Sequence, residues 1–378
     1  MDILSVFLNG FVMGTATARK LRSGFTTGAA AAAAAKGALL SLLVKQPPHK
    51  VQITFLTGAK TKIPLKKVIV KSPKCAIATV IKDAGDDPDI THKAEIGARV
   101  TLVATNQDQK VSISGGKGVG MVTKPGLEIP PGHFAINPGP LRMITNEIVE
   151  VLDQYNHQDK VDVEVFIPKG EELALKTLNT RLGILGGLSI LGTTGIERPM
   201  SHEAYLATIE KALSVARACG LNEVVLTTGR RSERFAQMLW PQISEEAFVQ
   251  MGDFFKATLE LASSQSFSSI IMVVFFGKAL KMAVGTPHTH ATRSVLTLNR
   301  LADWTKAKCG NKEIVVRIRQ ANTARHAFEL LKKDYSSIVS LVAQKVLIWA
   351  QQFCSPKIKI RVVIMDYKGQ VAADQFGN

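Results

Sequence analysis

Cysteine is nearly missing from this 378-residue chain. Its four residues, Cys75, Cys219, Cys309 and Cys354, stand far apart without a CxxC pair. That spacing offers neither a disulfide framework nor a zinc site, and it fits free thiols in a reducing cytoplasm. Aromatic residues are also few, at 6%. Proteins that bind nucleic acid cluster their cations or interleave them with aromatic platforms. Here the basic residues are scattered, with short groups only at Lys66 and Lys67, Arg230 and Arg231, and Lys332 and Lys333. Nucleic acid is therefore not the expected partner. No apolar run reaches the roughly 18 residues that a membrane-spanning helix needs, so no membrane partner is expected either. Residues 1–20 are mildly apolar but lack a basic start and a clear cleavage site. They read as an N-terminal extension or a misplaced start, with Met13 as the alternative, rather than as a signal peptide.

Acidic residues are in deficit as well, 31 against 47 basic ones, which leaves a net charge of +16. A surplus of that size attracts anions, and a small polycarboxylate suits it as well as a polymer does. With 46% hydrophobic and 21% charged residues, the chain has the composition of a folded protein, long enough for two domains. Alanines at 29–35 follow a Thr-Thr-Gly turn and predict a helix packed closely on a sheet. Short apolar strands are expected at 51–55, 67–70, 76–81, 98–103 and 111–114. Next come a glycine- and proline-rich loop over 115–142, a helix at 141–155 and a strand at 161–167. The second half alternates strands at 224–227, 270–276 and 315–318 with helices at 201–219, 232–240, 252–264, 290–307 and 323–352. The expected organisation is an extension at 1–20, an α+β domain at 21–172 with glycine-rich loops, and an α/β domain with a mostly parallel sheet at 173–378.

Four segments can carry chemistry. Residues 82–92 (KDAGDDPDITH) crowd Asp83, Asp86, Asp87 and Asp89 beside His92. Like charges at this density call for a cation, a donor-rich ligand or backbone N–H groups, or else form a solvated acidic turn. A functional reading makes one Asp a base or a ribose ligand and His92 a proton carrier. Residues 115–120 (GGKGVG) follow a strand, yet no helix follows them, which argues against a dinucleotide fingerprint. They form a binding loop, with Lys117 and Lys124 open to carboxylates, or a plain hairpin turn. Residues 181–201 pass through a glycine-studded strand to the Gly-Thr-Thr-Gly turn of Thr193 and Thr194, which binds a cofactor or packs tightly. In residues 226–235 (LTTGRRSERF), Arg230, Arg231 and Arg234 sit at a helix start, where an anion would offset their conflict with the helix dipole, or else they pair at the surface with Glu233. His288 and His290 lack a suggested third ligand, so no protein metal site is expected.

Taken in order, these segments resemble the CbiD family of S-adenosylmethionine-dependent methyltransferases. The resemblance rests on RSGFTTGA at 22–29, KDAGDDPDITH at 82–92, GGKGVGMVTKPGL at 115–127, NPGPLRMI at 137–144 and the block at 179–201. It runs from about residue 21 to about residue 292. The chain departs from the family pattern in having no cysteine after its Thr-Thr-Gly, in Thr228 where a proline is expected, and in His288 and Ala291 of the HTHA stretch. What the resemblance implies is methylation of carbon 1 of cobalt-precorrin-5B to give cobalt-precorrin-6A, in anaerobic cobalamin synthesis, by a cytoplasmic enzyme. For a carboxylate that stabilises the sulfonium or takes a proton from the ring, the catalytic candidates are Asp86 and Asp87, with His92 second. Donor contacts are expected from Thr26, Thr27, Gly28, Gly186, Gly187, Thr193, Thr194, Gly195, Thr228 and Gly229. Lys117, Lys124, Arg142, Arg230, Arg231 and Arg234 would meet the acetate and propionate arms of the ring. A homo-oligomer is compatible with the sequence. The rival readings are a tetrapyrrole-modifying enzyme of another reaction type and a basic nucleic-acid-binding protein.

Overall fold

The structure, a computed structural model, describes residues 21–44, 46–104, 110–199, 201–290 and 294–377. The extension expected at 1–20 lies outside them. The chain forms two compact units, one ending at Ser201 and the other beginning at His202. Among the described residues no helix is long and apolar enough to cross a membrane.

In the first unit, β1 (Gly24–Phe25) enters helix α1 (Thr27–Leu43), and β2 (Lys50–Thr54) and β3 (Lys60–Pro64) form a hairpin. Five strands follow in one sheet: β4 (Lys67–Ser72), β5 (Cys75–Ile81), β6 (Glu95–Val103), β7 (Val111–Gly115) and β10 (Lys160–Phe166). Their order is β4-β5-β6-β10-β7, and only the β10–β7 pair is parallel. Helix α1 lies between this sheet and helix α2 (Pro138–Gln154). That position explains the alanines. All seven from Ala29 to Ala35 are fully buried, and the strands beneath offer equally small Ala76, Ala78 and Ala98, with Ala78 opposite Ala98. A helix buried all round shows no polar stripe. Its one internal cation, Lys36, meets Glu147 of α2 at 2.6 Å and Glu150 at 2.7 Å.

The glycine-rich stretch after β7 contains two-residue strands, β8 (Gly118–Val119) and β9 (Met121–Val122), where no regular element was expected. After the short helix α3 (Gly170–Ala174), β11 (Ile184–Leu185) pairs with β9 and β12 (Gly187–Leu188) with β8, while β13 (Ile196–Glu197) pairs with β1. These pairings tie residues 184–188 and 196–197 to the first unit, although the sequence pattern assigned them to the second domain.

The second unit runs α4 (His202–Ala218), β14 (Glu223–Thr227), α5 (Arg230–Leu239), β15 (Phe248–Gln250), α6 (Phe255–Ser264), β16 (Ser269–Phe275), α7 (Phe276–Ala283), α8 (Ser294–Cys309), α9 (Lys312–Arg319), α10 (Ala324–Leu331), α11 (Ser336–Gln352), β17 (Lys359–Met365) and β18 (Val371–Gly377). The sheet order is β15-β14-β16-β17-β18. Three of its pairings are parallel, and β18 is antiparallel to β17. Side chains alternate across it. Val224 and Leu226 enter the larger core with α4, α6 and α7, whereas Val225 meets Phe235 and Ala236 of α5.

Two sequence expectations are corrected here. The run 315–318 is no strand but part of α9. Ile314, Val315 and Ile318 are its buried face, and the Asn311 side chain accepts N–H bonds from Glu313 and Ile314 at its start. The strand that completes the parallel layer is instead β17. The single helix expected over 323–352 is two helices, α10 and α11, with Tyr335 at the second start.

Candidate active site

The acidic block of the first unit separates into two sets of partners. Arg22 grips Asp83 with both terminal guanidinium nitrogens, at 2.5 and 2.9 Å. Asp86 accepts the Arg22 backbone N–H at 2.7 Å and returns its own N–H to the Arg22 carbonyl at 2.9 Å. The hydrogen bond from Arg22, against a smaller opposing effect of burial, lowers the Asp83 carboxyl to about 2. Such a group stabilises the fold above its unfolded pKa near 4 and loses that contribution as pH falls toward 2. Asp83→Asn should therefore melt below wild type at pH 6, with the gap closing between pH 4 and 2. A gap that ignores pH would refute the ion pair. Both groups are well exposed, so the gap should be small.

Deeper in the block, Lys82 is 1% exposed. Its ammonium contacts Asp89, donates to the Thr91 hydroxyl at 2.8 Å and meets Glu197 at 3.3 Å. Burial works to raise Asp89, but the charge and hydrogen bonds of Lys82 with those of Thr91 outweigh it and hold Asp89 low. For Glu197 burial wins, helped by repulsion from Asp89 and Asp87, and its carboxyl sits above the ordinary range. One cation thus supports two unlike carboxylates. The sequence pattern gave neither Lys82 nor Glu197 a role, since nothing local joins residues 115 positions apart.

His92 is half-buried, and its Nδ1 accepts the Ala84 N–H at 3.1 Å. The neutral ring then carries its proton on Nε2, which suits a donor rather than a base. Asp86 is exposed and Asp87 half-buried.

The structure gives several candidate donor-binding residues of this unit packing partners. The Thr26 hydroxyl caps α1 at Ala29, and Thr27 Oγ1 bridges Ser189 and Leu191. A Cβ on Gly28 would meet Pro140 at 2.6 Å, on Gly187 the Gly118 carbonyl oxygen at 2.2 Å, and on Gly195 the Phe55 ring at 2.6 Å. Thr194 Oγ1 bonds back to Ile196, while Gly186 and Thr193 are exposed. Lys117 and Arg142 are exposed; Lys124 lays its stem on Gly183 and donates to the Arg181 carbonyl at 3.4 Å.

Thr228, Gly229, Arg230, Arg231 and Arg234 belong to the second unit, at the carboxyl end of β14. Thr228 and Gly229 form a turn closed by Ser232, whose hydroxyl accepts from the Thr228 N–H at 3.1 Å and donates to the Gly229 carbonyl at 2.9 Å. Arg231 lies over the Phe235, Phe275 and Tyr367 rings, and Arg234 over Phe235. Arg230 is exposed. Beside this turn stands a carboxylate that the sequence pattern did not flag, although its partners Lys278 and Thr289 lie at junctions expected to line the ligand-binding edge. Asp253, just past β15, pairs with Lys278 of α7 and accepts the Thr289 hydroxyl at 2.7 Å. Burial opposes its ionisation, but Lys278 and Thr289 hold it low. Burial, then Asp253 and Glu233, push the Tyr205 hydroxyl to about 12. His288 stacks on His202 at 5.3 Å and meets Phe254 edge-on at 4.7 Å. Among the described residues no group of three or more His, Cys, Asp or Glu is placed to hold a metal ion.

Comparison with known proteins adds independent findings. The family profile described as CbiD matches residues 14–199, and the profile for the CbiD C-terminal domain matches residues 288–375. A relative from Citrifermentans bemidjiense, named Cobalt-precorrin-5B C(1)-methyltransferase, is 40% identical over 93% of this chain and 98% of its own. Relatives of the same name from Leptospira interrogans and Priestia megaterium are 38% and 42% identical, covering 94% and 84% of this chain and 96% and 85% of theirs. A crystal structure of cobalamin biosynthesis protein (cbiD) from Archaeoglobus fulgidus is 27% identical, covers 71% of this chain and 81% of that one, and gives a TM-score of 0.40. With both profiles matched in order and relatives aligned over more than nine-tenths of its length, the chain belongs to the CbiD family.

Proposed function

We propose that the protein is a cobalt-precorrin-5B C(1)-methyltransferase that uses S-adenosylmethionine. The observation that carries this reading is the end-to-end identity of about 40% with relatives of that name. The basic surface suits a ring bearing many carboxylate arms, and the cobalt belongs to the substrate. When bound, the donor supplies a methyl group on a positively charged sulfur. The work left to the chain is to hold donor and ring in line and to take up the proton that the ring sheds. Positioning of this kind is worth several kcal/mol, about 7–11 in the best cases. Asp86 and Asp87 are the proposed proton acceptors. Asp86 retains an oxygen outside the Arg22 contact, and His92, with its proton on Nε2, serves as a donor to the ring's periphery. Lys117, Lys124, Arg142, Arg230, Arg231 and Arg234 are the proposed contacts for the arms.

Incubating the enzyme with cobalt-precorrin-5B and a 13C-methyl donor should place the label on a ring carbon, read by NMR. A ring without label would end the proposal. Asp86→Asn keeps an acceptor for the Arg22 N–H and should leave melting unchanged while slowing methyl transfer by about 100-fold, the lower range of general acid–base effects. Unchanged turnover would remove Asp86 from the site.

A further inference from the structure

In the second unit the chain runs from β14 to β15 on one side and then crosses to β16 on the other, because the sheet order is β15-β14-β16. At such a reversal the connections leave in opposite directions and open a crevice at the carboxyl ends of β14 and β16, the place where open α/β sheets bind ligands. Three features converge on it. The Thr228 and Gly229 turn leads into α5, whose first-turn N–H groups have no carbonyl one turn back. Asp253, 24 positions after Gly229, lies past the end of the adjoining strand. Lys278 comes from just past the end of β16, so the Asp253–Lys278 pair spans the carboxyl end of β14. Both donors to Asp253 meet Oδ1, leaving Oδ2 without a hydrogen bond among the described residues. Thr227, the last residue of β14, is fully buried, and its hydroxyl has no partner among the described residues, an unmet group of the kind that a ligand or ordered water completes. The strand–turn–helix–strand unit with an acid at the second strand's end has the layout that nucleotide-binding halves use to hold a ribose.

Resting on the methyltransferase reading, we propose that this crevice is the donor site, with Asp253 accepting from the ribose hydroxyls and the α5 turn receiving the donor's carboxylate. The sequence alone left the donor divided between this turn and the glycine loops of the first unit. Those loops favour packing, since Thr26, Thr27, Gly28, Gly187 and Gly195 are engaged with protein atoms.

The test is titration calorimetry on the full chain with S-adenosylhomocysteine and its 2′-deoxyribose analogue, for wild type and Asp253→Asn. Wild type should lose about tenfold or more in affinity for the deoxy compound, as expected for a hydrogen bond to a charged group. The variant should bind S-adenosylhomocysteine about tenfold more weakly and lose the discrimination. A variant that discriminates as wild type does overturns the proposal, whereas a wild type that binds no S-adenosylhomocysteine overturns the methyltransferase reading itself. Hydrogen exchange on wild type needs no variant. Ligand-induced protection in peptides containing Thr228 and Asp253 supports the site, and protection confined to residues 21–201 overturns it.

Discussion

Replacing Lys82 with alanine should cost the fold about 3–5 kcal/mol, the usual penalty for leaving buried carboxylates without their cation, and lower the melting temperature by roughly 10 °C. The ammonium is almost completely enclosed, and Asp89 and Glu197 are both largely buried. Two controls separate charge from packing. Lys82→Met keeps the stem, so a loss shared by both variants is electrostatic. Without the lysine, Asp89 and Glu197 should both titrate above their ordinary range. A group with a raised folded pKa gives its stability below the unfolded pKa and loses it as pH rises through the folded one. The variant's deficit should therefore be smaller at pH 4.5 than at pH 7.5. Equal deficits would show that only volume had been lost.

Gly118→Ala is the second large effect, at about 3 kcal/mol. Gly118 has a φ of +74°, and an added Cβ would lie 2.0 Å from the Ile167 carbonyl oxygen. The left-handed backbone costs alanine about 1–2 kcal/mol, and forcing β8 away from rigid main chain adds about 1–3 kcal/mol. Gly132 is the comparison: its φ is +86° but no atom of the described residues lies within 4 Å of an added Cβ, so Gly132→Ala should cost only the backbone part. Chemical denaturation of the two variants measures the difference. Equal losses would mean that the close approach at Gly118 is easily relieved.

What the sequence disclosed depended on how locally each feature is determined. The alanine helix was legible because seven small residues in a row allow little else than tight packing. The strands at 51–55 and 76–81 were legible as short apolar runs. Residues 315–318 misled, because a short β-branched run fits a strand or one face of a helix equally well, and the Asn311 cap decided for the helix. In the candidate site, the block at 82–92 was visible as a crowd of charges. Its division into an Arg22 set and a Lys82 set was not, because Glu197 reaches Lys82 only through the pairing of β1 with β13. Asp253 lay hidden for a similar reason. Nothing marks it among its neighbours, and its interest comes from a strand order that only the three-dimensional arrangement supplies.

That strand order also bears on how the second unit is made. Strand β16 lies between β14, some 45 residues earlier, and β17, 90 residues later. The longer loop adds only about 0.6 kcal/mol of closure entropy for each doubling of length, so the finished sheet is hardly weakened. The burden falls on rate, because distant pairings slow folding far more than they weaken it. As the chain leaves the ribosome, the β16 edge must wait uncovered until residue 365 has emerged, while the first unit already has every strand of its sheet. Between those two moments lies the interval in which this protein is most exposed to aggregation and most in need of a chaperone.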